Sequence, residues 1–146
     1  MLYKLRKLLI GNKGFTLIEL MTVLIILGVV LAIGVPRYTK FQAQAEYDAD
    51  VARIKSLAKQ AEMYAVRNDD YTDKTISFLT NNNVINDIDL ERRNDGSGNS
   101  VKNTDNKTIS QVKGSATFKF NADIGCVTED SINDVIFDLI GKPPIE

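Results

Sequence analysis

Phe15 to Val35 form an apolar run of 21 residues interrupted by one charge, Glu19. At about 1.5 Å of helical rise per residue the run spans roughly 30 Å, the thickness of a bilayer hydrocarbon core. Lys4, Arg6, Lys7 and Lys13 precede it without an intervening acid. Basic residues on one side of a span hold that side in the cytoplasm. The pattern therefore predicts a single-pass chain with a cytoplasmic N-terminus and its C-terminal part outside. A buried helix of a soluble protein is one alternative, but such a helix normally shows a polar face. A secretory signal peptide is another. It has a basic start, an apolar stretch from Leu20 and the small pair Ala32 and Gly34. Glu19 within the run and Pro36 just past the supposed cut argue against it. On that reading the remainder is a secreted enzyme or binding domain.

Composition narrows the chemistry. The chain has 146 residues and a formal net charge of -1, with the basic head offset by an acidic body. That length suits one modest core, and the acidic body gives no broad nucleic-acid-binding face. Nucleic acid is left unassigned as a partner. There is no histidine and one cysteine, Cys126. Histidine-dependent nucleophilic catalysis, histidine-ligated zinc and an intramolecular disulfide are all excluded. No convergent catalytic set is visible, so the reading is non-enzymatic, with no cofactor and no metal site.

Glu19 is the informative residue of the run. A carboxylate at the centre of a membrane helix costs about 2.5–3.5 kcal/mol, and less near the interface. Either it snorkels to water or it awaits a partner, and position alone leaves both open. The junction reads Lys13, Gly14, Phe15, Thr16, Leu17, Ile18, Glu19, Leu20. A basic leader ending in glycine, a Gly-Phe junction, a glutamate five residues into the following segment and a long apolar helix resemble the type IV prepilin and pseudopilin family. Gly28 and Pro36 also fall where that family commonly has glycine and proline. The resemblance covers about residues 8 to 40.

The resemblance implies a mechanism. A membrane prepilin peptidase cuts after Gly14 and methylates the new amine of Phe15. Glu19 of one subunit pairs with Phe15 of another, and the stretch from Gly28 to Pro36 can unwind in the filament. The implied partners are further copies of the chain in a helical homopolymer, the peptidase, an inner-membrane assembly platform, and lipid before assembly. The implied places are the cell membrane and then an extracellular pilus serving adhesion or motility. A pseudopilin of a type II secretion or competence DNA-uptake machine shares the same N-terminal mechanism. The lack of a cystine departs from disulfide-bearing members and leans toward the disulfide-free pilins of Gram-positive bacteria.

Other features follow from local chemistry. Gly28 and Ala32 form a small-xxx-small pair that permits close helix approach. Pro36 beside Gly34 predicts a kink near 32–36, because proline cannot donate and its ring crowds the carbonyl four residues back. Beyond Pro36, Tyr47, Val51, Ile54, Ala58, Ala61 and Ala65 recur at helical spacing. Lys40, Glu46, Asp50, Arg53, Lys55 and Lys59 lie largely off that stripe. The expected fold class is α+β. A long kinked helix has an apolar first half, and its second half, to about residue 67, packs on a small antiparallel β-sheet headpiece. The expected segments are a removed leader (1–14), a membrane and filament-core helix (15–36) and a soluble headpiece (37–146).

Within the headpiece, a short helix is expected over 75–82, and 91–107 reads as a mobile polar loop. Asp87, Asp89, Asp95 and Asn99 fit no EF-hand spacing. Asn106-Lys107-Thr108 matches a glycosylation sequon. Thr108 to Val112 and Ala116 to Asn121 read as a β-hairpin, and Ile124 to Thr128 as a further strand. Ile132 to Ile140 has helical spacing, with an edge strand over 134–140 as the alternative. Cys126 is expected to be a small buried residue. The junction makes a direct prediction: intact mass of the mature protein matches a chain starting at Phe15 with one added methyl. A start at Val35 would instead establish the secretory reading.

Overall fold

The computed structural model describes residues 15–144, so the leader expected over 1–14 lies outside the described residues. One helix, α1, runs from Leu17 to Asn68 and contains Pro36 without a break in its helical assignment. Thr16 precedes it as a cap, its Oγ1 accepting from the Glu19 N–H at 3.3 Å. The helix stops where Asp69 adopts the left-handed conformation (φ 51°) and Asp70 N–H closes onto the Ala65 carbonyl at 3.0 Å. An asparagine or aspartate tolerates that conformation because its short side chain bonds locally.

Backbone contacts divide the chain into two compact units, the first ending at Tyr38 and the second beginning at Thr39. Within the first, α1 is apolar and unburied. The second is an α+β headpiece. After the end of α1 come β1 (Lys74–Thr75), α2 (Ile76–Asn81), β2 (Arg92–Asn94), β3 (Ser100–Lys102) and α3 (Ile109–Lys113). β4 (Thr117–Phe118), β5 (Phe120–Asn121), β6 (Cys126–Val127) and α4 (Glu129–Ile140) complete it. The strands pair antiparallel as three ribbons, β1 with β4, β2 with β3 and β5 with β6. Ile54, Leu57, Ala58 and Ala61 of α1 share one core with Ile76, Leu79, Ile109, Phe118, Val135 and Leu139. The alanines bring the helix backbone close to these elements, because a methyl group adds little standoff.

Two elements differ from the sequence expectation. Residues 109–113 are helical, so no hairpin joins 108–112 to 116–121. The reason is local capping: Gln111 Oε1 accepts from the Thr108 N–H at 3.1 Å, while Asp87 accepts from the Thr108 hydroxyl at 2.7 Å and the Ser110 N–H at 3.1 Å. Those donors are withdrawn from any strand ladder, and β4 pairs instead with β1, placing Lys74 opposite Phe118. The segment 91–107 is also not a plain loop. Asp95 bonds the N–H groups of Ser97 and Asn99 at 2.7 and 3.2 Å, and Gly96 and Gly98 take positive φ, which folds β2 back on β3. α4 forms over Glu129–Ile140 with Thr128 as its cap, which removes the edge-strand alternative. The short helix expected over 75–82 and the strand expected within 124–128 both form.

One carboxylate fastens the β2–β3 hairpin to α1. Asp50 is fully buried, contrary to its expected place off the apolar stripe. Its oxygens accept from the Arg92 N–H at 2.8 Å, the Glu91 N–H at 3.2 Å and the Arg53 guanidinium at 2.9 Å. Glu46, one turn earlier, accepts from Lys102 at 3.1 Å and Arg92 at 3.4 Å. A buried carboxylate with this many donors anchors structure, and removing it leaves the donors unpaired.

Burial outweighs those donors and pushes the Asp50 carboxyl above its ordinary value of 3.8. The folded chain therefore binds this proton more tightly than the unfolded chain. Its contribution to stability is full below pH 3.8 and is lost as pH rises through the raised value. Asp70 acts oppositely: its hydrogen bond from Lys74 lowers it to about 2, so its contribution is lost as pH falls through that value. Asp50→Ala is expected to cost about 3 kcal/mol and to speed tryptic cleavage at Arg92 and Arg93. Asp50→Asn, which keeps one acceptor, should cost less and flatten the decline above pH 3.8. Thermal unfolding of the detergent-solubilised chain across pH, beside timed proteolysis, checks both. Unchanged cleavage in Asp50→Ala would show that the hairpin is held elsewhere.

Candidate functional site

The first half of α1 has the chemistry of a surface that must be covered. Every large apolar side chain from Phe15 to Val35 is between 44% and 76% exposed. Nothing among the described residues buries them, and the helix is long and apolar enough to cross a bilayer. Gly28 and Gly34 are open: a Cβ built on either would meet nothing within 4 Å. Packing around the two glycines in the subunit therefore does not require their small size. With Ala32, also exposed, they leave a path along which a second helix can approach closely.

Glu19 stands in the first turn of this helix. Its carboxylate makes no ion pair among the described residues. Its backbone is already engaged, with the Glu19 N–H also directed to the Thr16 carbonyl at 3.1 Å. Thr16 at the cap and Glu19 three residues on match the Thr-x-x-Glu capping pattern. The Thr22 hydroxyl donates to the Ile18 carbonyl at 2.8 Å and satisfies its own polarity inside the apolar run. An acid in the first turn also complements the positive end of the helix dipole. The sequence left Glu19 open between snorkelling to water and awaiting a partner, and its place beside the Thr16 cap was passed over. The Thr16–Glu19 spacing was the available signal. Of the residues singled out at the junction, Gly14 lies outside the described residues. Phe15 is 73% exposed immediately before the helix cap.

The headpiece features carry less chemistry. Among the described residues, no three histidine, cysteine, aspartate or glutamate side chains converge to hold a metal ion. Asp87 is committed to Thr108 and Ser110. The Ser97 N–H leads the interactions that hold the Asp95 carboxyl below its ordinary range, and Asp95 also bonds the Asn99 amide. Asn106 is exposed with φ 47°, but the Thr108 hydroxyl of its sequon is occupied by Asp87. Cys126 is half-buried.

The described residues thus present one long apolar helix, uncovered among them, with Thr16 at its cap and Glu19 in its first turn. Comparison with known proteins places likenesses beside that helix. Residues 10–35 match the family model of the prokaryotic N-terminal methylation motif. Over 62 residues the chain is 39% identical to the type IV major pilin protein PilA of Myxococcus xanthus, covering 42% of this chain and 28% of that protein. It is 34% identical over 100 residues to a fimbrial protein of Pseudomonas aeruginosa, 66% of this chain and 62% of that one. It is 37% identical over 60 residues to the type II secretion system core protein G of Dickeya chrysanthemi, 41% of this chain and 39% of that one. The chain thus spans between 28% and 62% of the length of these relatives. No solved structure matches. Residues 10–35 thus carry the N-terminal methylation motif, and the chain is similar to type IV pilins and to a type II secretion core protein.

Proposed function

We propose that the chain is a structural, non-enzymatic subunit of a type IV pilus. It is made as a single-pass membrane precursor, cut between Gly14 and Phe15 by prepilin peptidase, and methylated at the Phe15 amine. It then leaves lipid for a helical polymer of its own copies, delivered by an inner-membrane platform to the cell surface. The observation that carries this reading is the uncovered apolar half of α1. Such a surface is stable in lipid or against like helices, and in water it is not.

Within the polymer, Glu19 of one copy offsets the amine of Phe15 of a neighbour. Both charges leave water on assembly, and each needs the other to offset its desolvation. The glycines and Ala32 admit the close approach. Gly34 and Pro36 supply the place where the helix can bend or unwind as copies pack. Before assembly the same apolar surface is solvated by lipid chains.

A pseudopilin of a secretion machine is the second reading, favoured by the likeness to core protein G. The pilus reading is preferred because the 100-residue alignment with the fimbrial protein is longer than leader and helix together, which end at Asn68. That likeness therefore extends beyond α1, whereas a 60-residue alignment is short enough to fit within the leader and α1.

Glu19→Gln is the discriminating variant, since glutamine keeps the capping pattern with Thr16 and loses only the charge. Membrane insertion and cleavage after Gly14 should persist, and sheared-filament yield should fall at least tenfold, the effect of about 1.4 kcal/mol lost per docking step. Glu19→Ala should do the same and also loosen the first turn. Wild-type filament yield from Glu19→Gln, in cells with no other copy of the chain, would falsify the pairing role.

A further inference from the structure

The β5–β6 connection presents an apolar knob. Ile124 is 70% exposed at its tip. The turn beneath it is tightly held: the Gly125 N–H bonds the Asn121 carbonyl at 2.8 Å and the Asp123 N–H bonds Asn121 Oδ1 at 3.0 Å. Tyr71 lies against Gly125 so closely that an added Cβ would sit 3.2 Å from the ring. Gly125 also takes φ 69°, a conformation that favours glycine. An isoleucine held out on so fixed a turn is a surface that binding would not have to order first.

A matching cleft lies on the headpiece. It has a volume of about 390 Å³, and Met63, Tyr64 and Val84 line it together with Gln60, Arg67 and the asparagines at 68, 82 and 83. Met63 is 68% exposed, and Tyr64 is braced edge-on by Phe78 at 6.4 Å between ring centres. The knob and the cleft flank different sides of α1. Glu62 accepts from the Val127 N–H at 2.9 Å, which sets β6 on the Glu62 side. At 3.6 residues per turn, the cleft residues at 63, 64 and 67 point about 150° away from Glu62 around the axis. The two surfaces carry opposite charges. Asp123 adjoins the knob and Arg67 lines the cleft; both are exposed, and neither makes an ion pair among the described residues.

We propose that Ile124 of one copy of this chain docks in the 63–84 cleft of a second copy, with Asp123 facing Arg67. The contact joins unlike surfaces on different flanks. It therefore repeats from copy to copy and leaves a free knob and a free cleft at each end, the geometry of an open helical array. It links headpieces laterally, in addition to the helix core, and rests on the filament reading. The ion pair is exposed and sets orientation more than affinity, while the apolar tip supplies buried area.

The test uses filaments sheared from cells whose only copy carries Cys126→Ser. Adding Ile124→Cys together with Met63→Cys should give a ladder of disulfide-linked multimers on oxidation, and either cysteine alone should give none. Intact filaments without a ladder, or a disulfide-linked dimer from one cysteine alone, overturn the contact. Should the paired variant make no filaments, charge reversal decides. Asp123→Arg and Arg67→Asp should each lower filament recovery several-fold, and the two together should restore it. No loss, or no restoration, overturns the proposal. Absence of filaments from the unsubstituted chain would overturn the filament reading itself, a distinct result.

Discussion

The rest of the structure answers to one constraint, the apolar surface of α1 between Phe15 and Val35. Covering a large apolar side chain is worth about 1.5–3 kcal/mol, and more than a dozen such side chains stand uncovered. The described residues offer no second apolar face of that length. On the proposed reading the cover comes from outside, first from lipid and then from like helices. The same surface explains why Thr16 and Thr22 satisfy their hydroxyl groups within the helix backbone. In a medium without water, each unsatisfied polar group is costly.

The second half of the same helix solves a different problem. From Ile54 to Ala65 it is the central element of a water-facing core. Its alanines let α2, the ribbons and α4 close in. The polar fastenings lie where the hydrophobic stripe is weakest. Asp50 and Glu46 hold the β2–β3 hairpin near the start of the headpiece, and Glu62 holds β6 near its end. Apolar burial gives the headpiece its stability, and these carboxylates set where the short ribbons dock. Three ribbons of two or three residues each could not be positioned by their own ladders.

What was legible in the sequence was whatever periodicity or length encodes. The span, the length of α1, α2 over 76–81, α4 and the strand at 126–127 all follow from apolar spacing and caps. Asp50 escaped because its residue type was read instead of its position. It lies four residues before Ile54 and seven before Leu57, on the buried stripe, and only its charge argued for solvent. Residues 109–113 escaped because their alternation of apolar and polar side chains also suits a strand. The deciding partner, Asp87, is more than twenty residues away and invisible to a local pattern. The hairpin over 92–102 was hidden by its turn chemistry, since Asn, Asp, Gly and Ser specify a tight reversal as readily as a loop. At the junction the charge of Glu19 was legible, and its capping relation to Thr16 was written in the same four residues.

If the account is right, the helix that lipid covers in the precursor is covered by other copies of itself in the filament. Accessibility of one mid-helix position measures this directly. Leu24→Cys, in a Cys126→Ser background, is exposed to a membrane-impermeant maleimide in sheared filaments washed free of lipid and detergent. The account predicts that the thiol stays unlabelled until the filaments are dissociated by detergent and the bilayer-free subunit is released. Ready labelling in intact filaments, or a stoichiometric coat of lipid that accompanies them through washing, would contradict it.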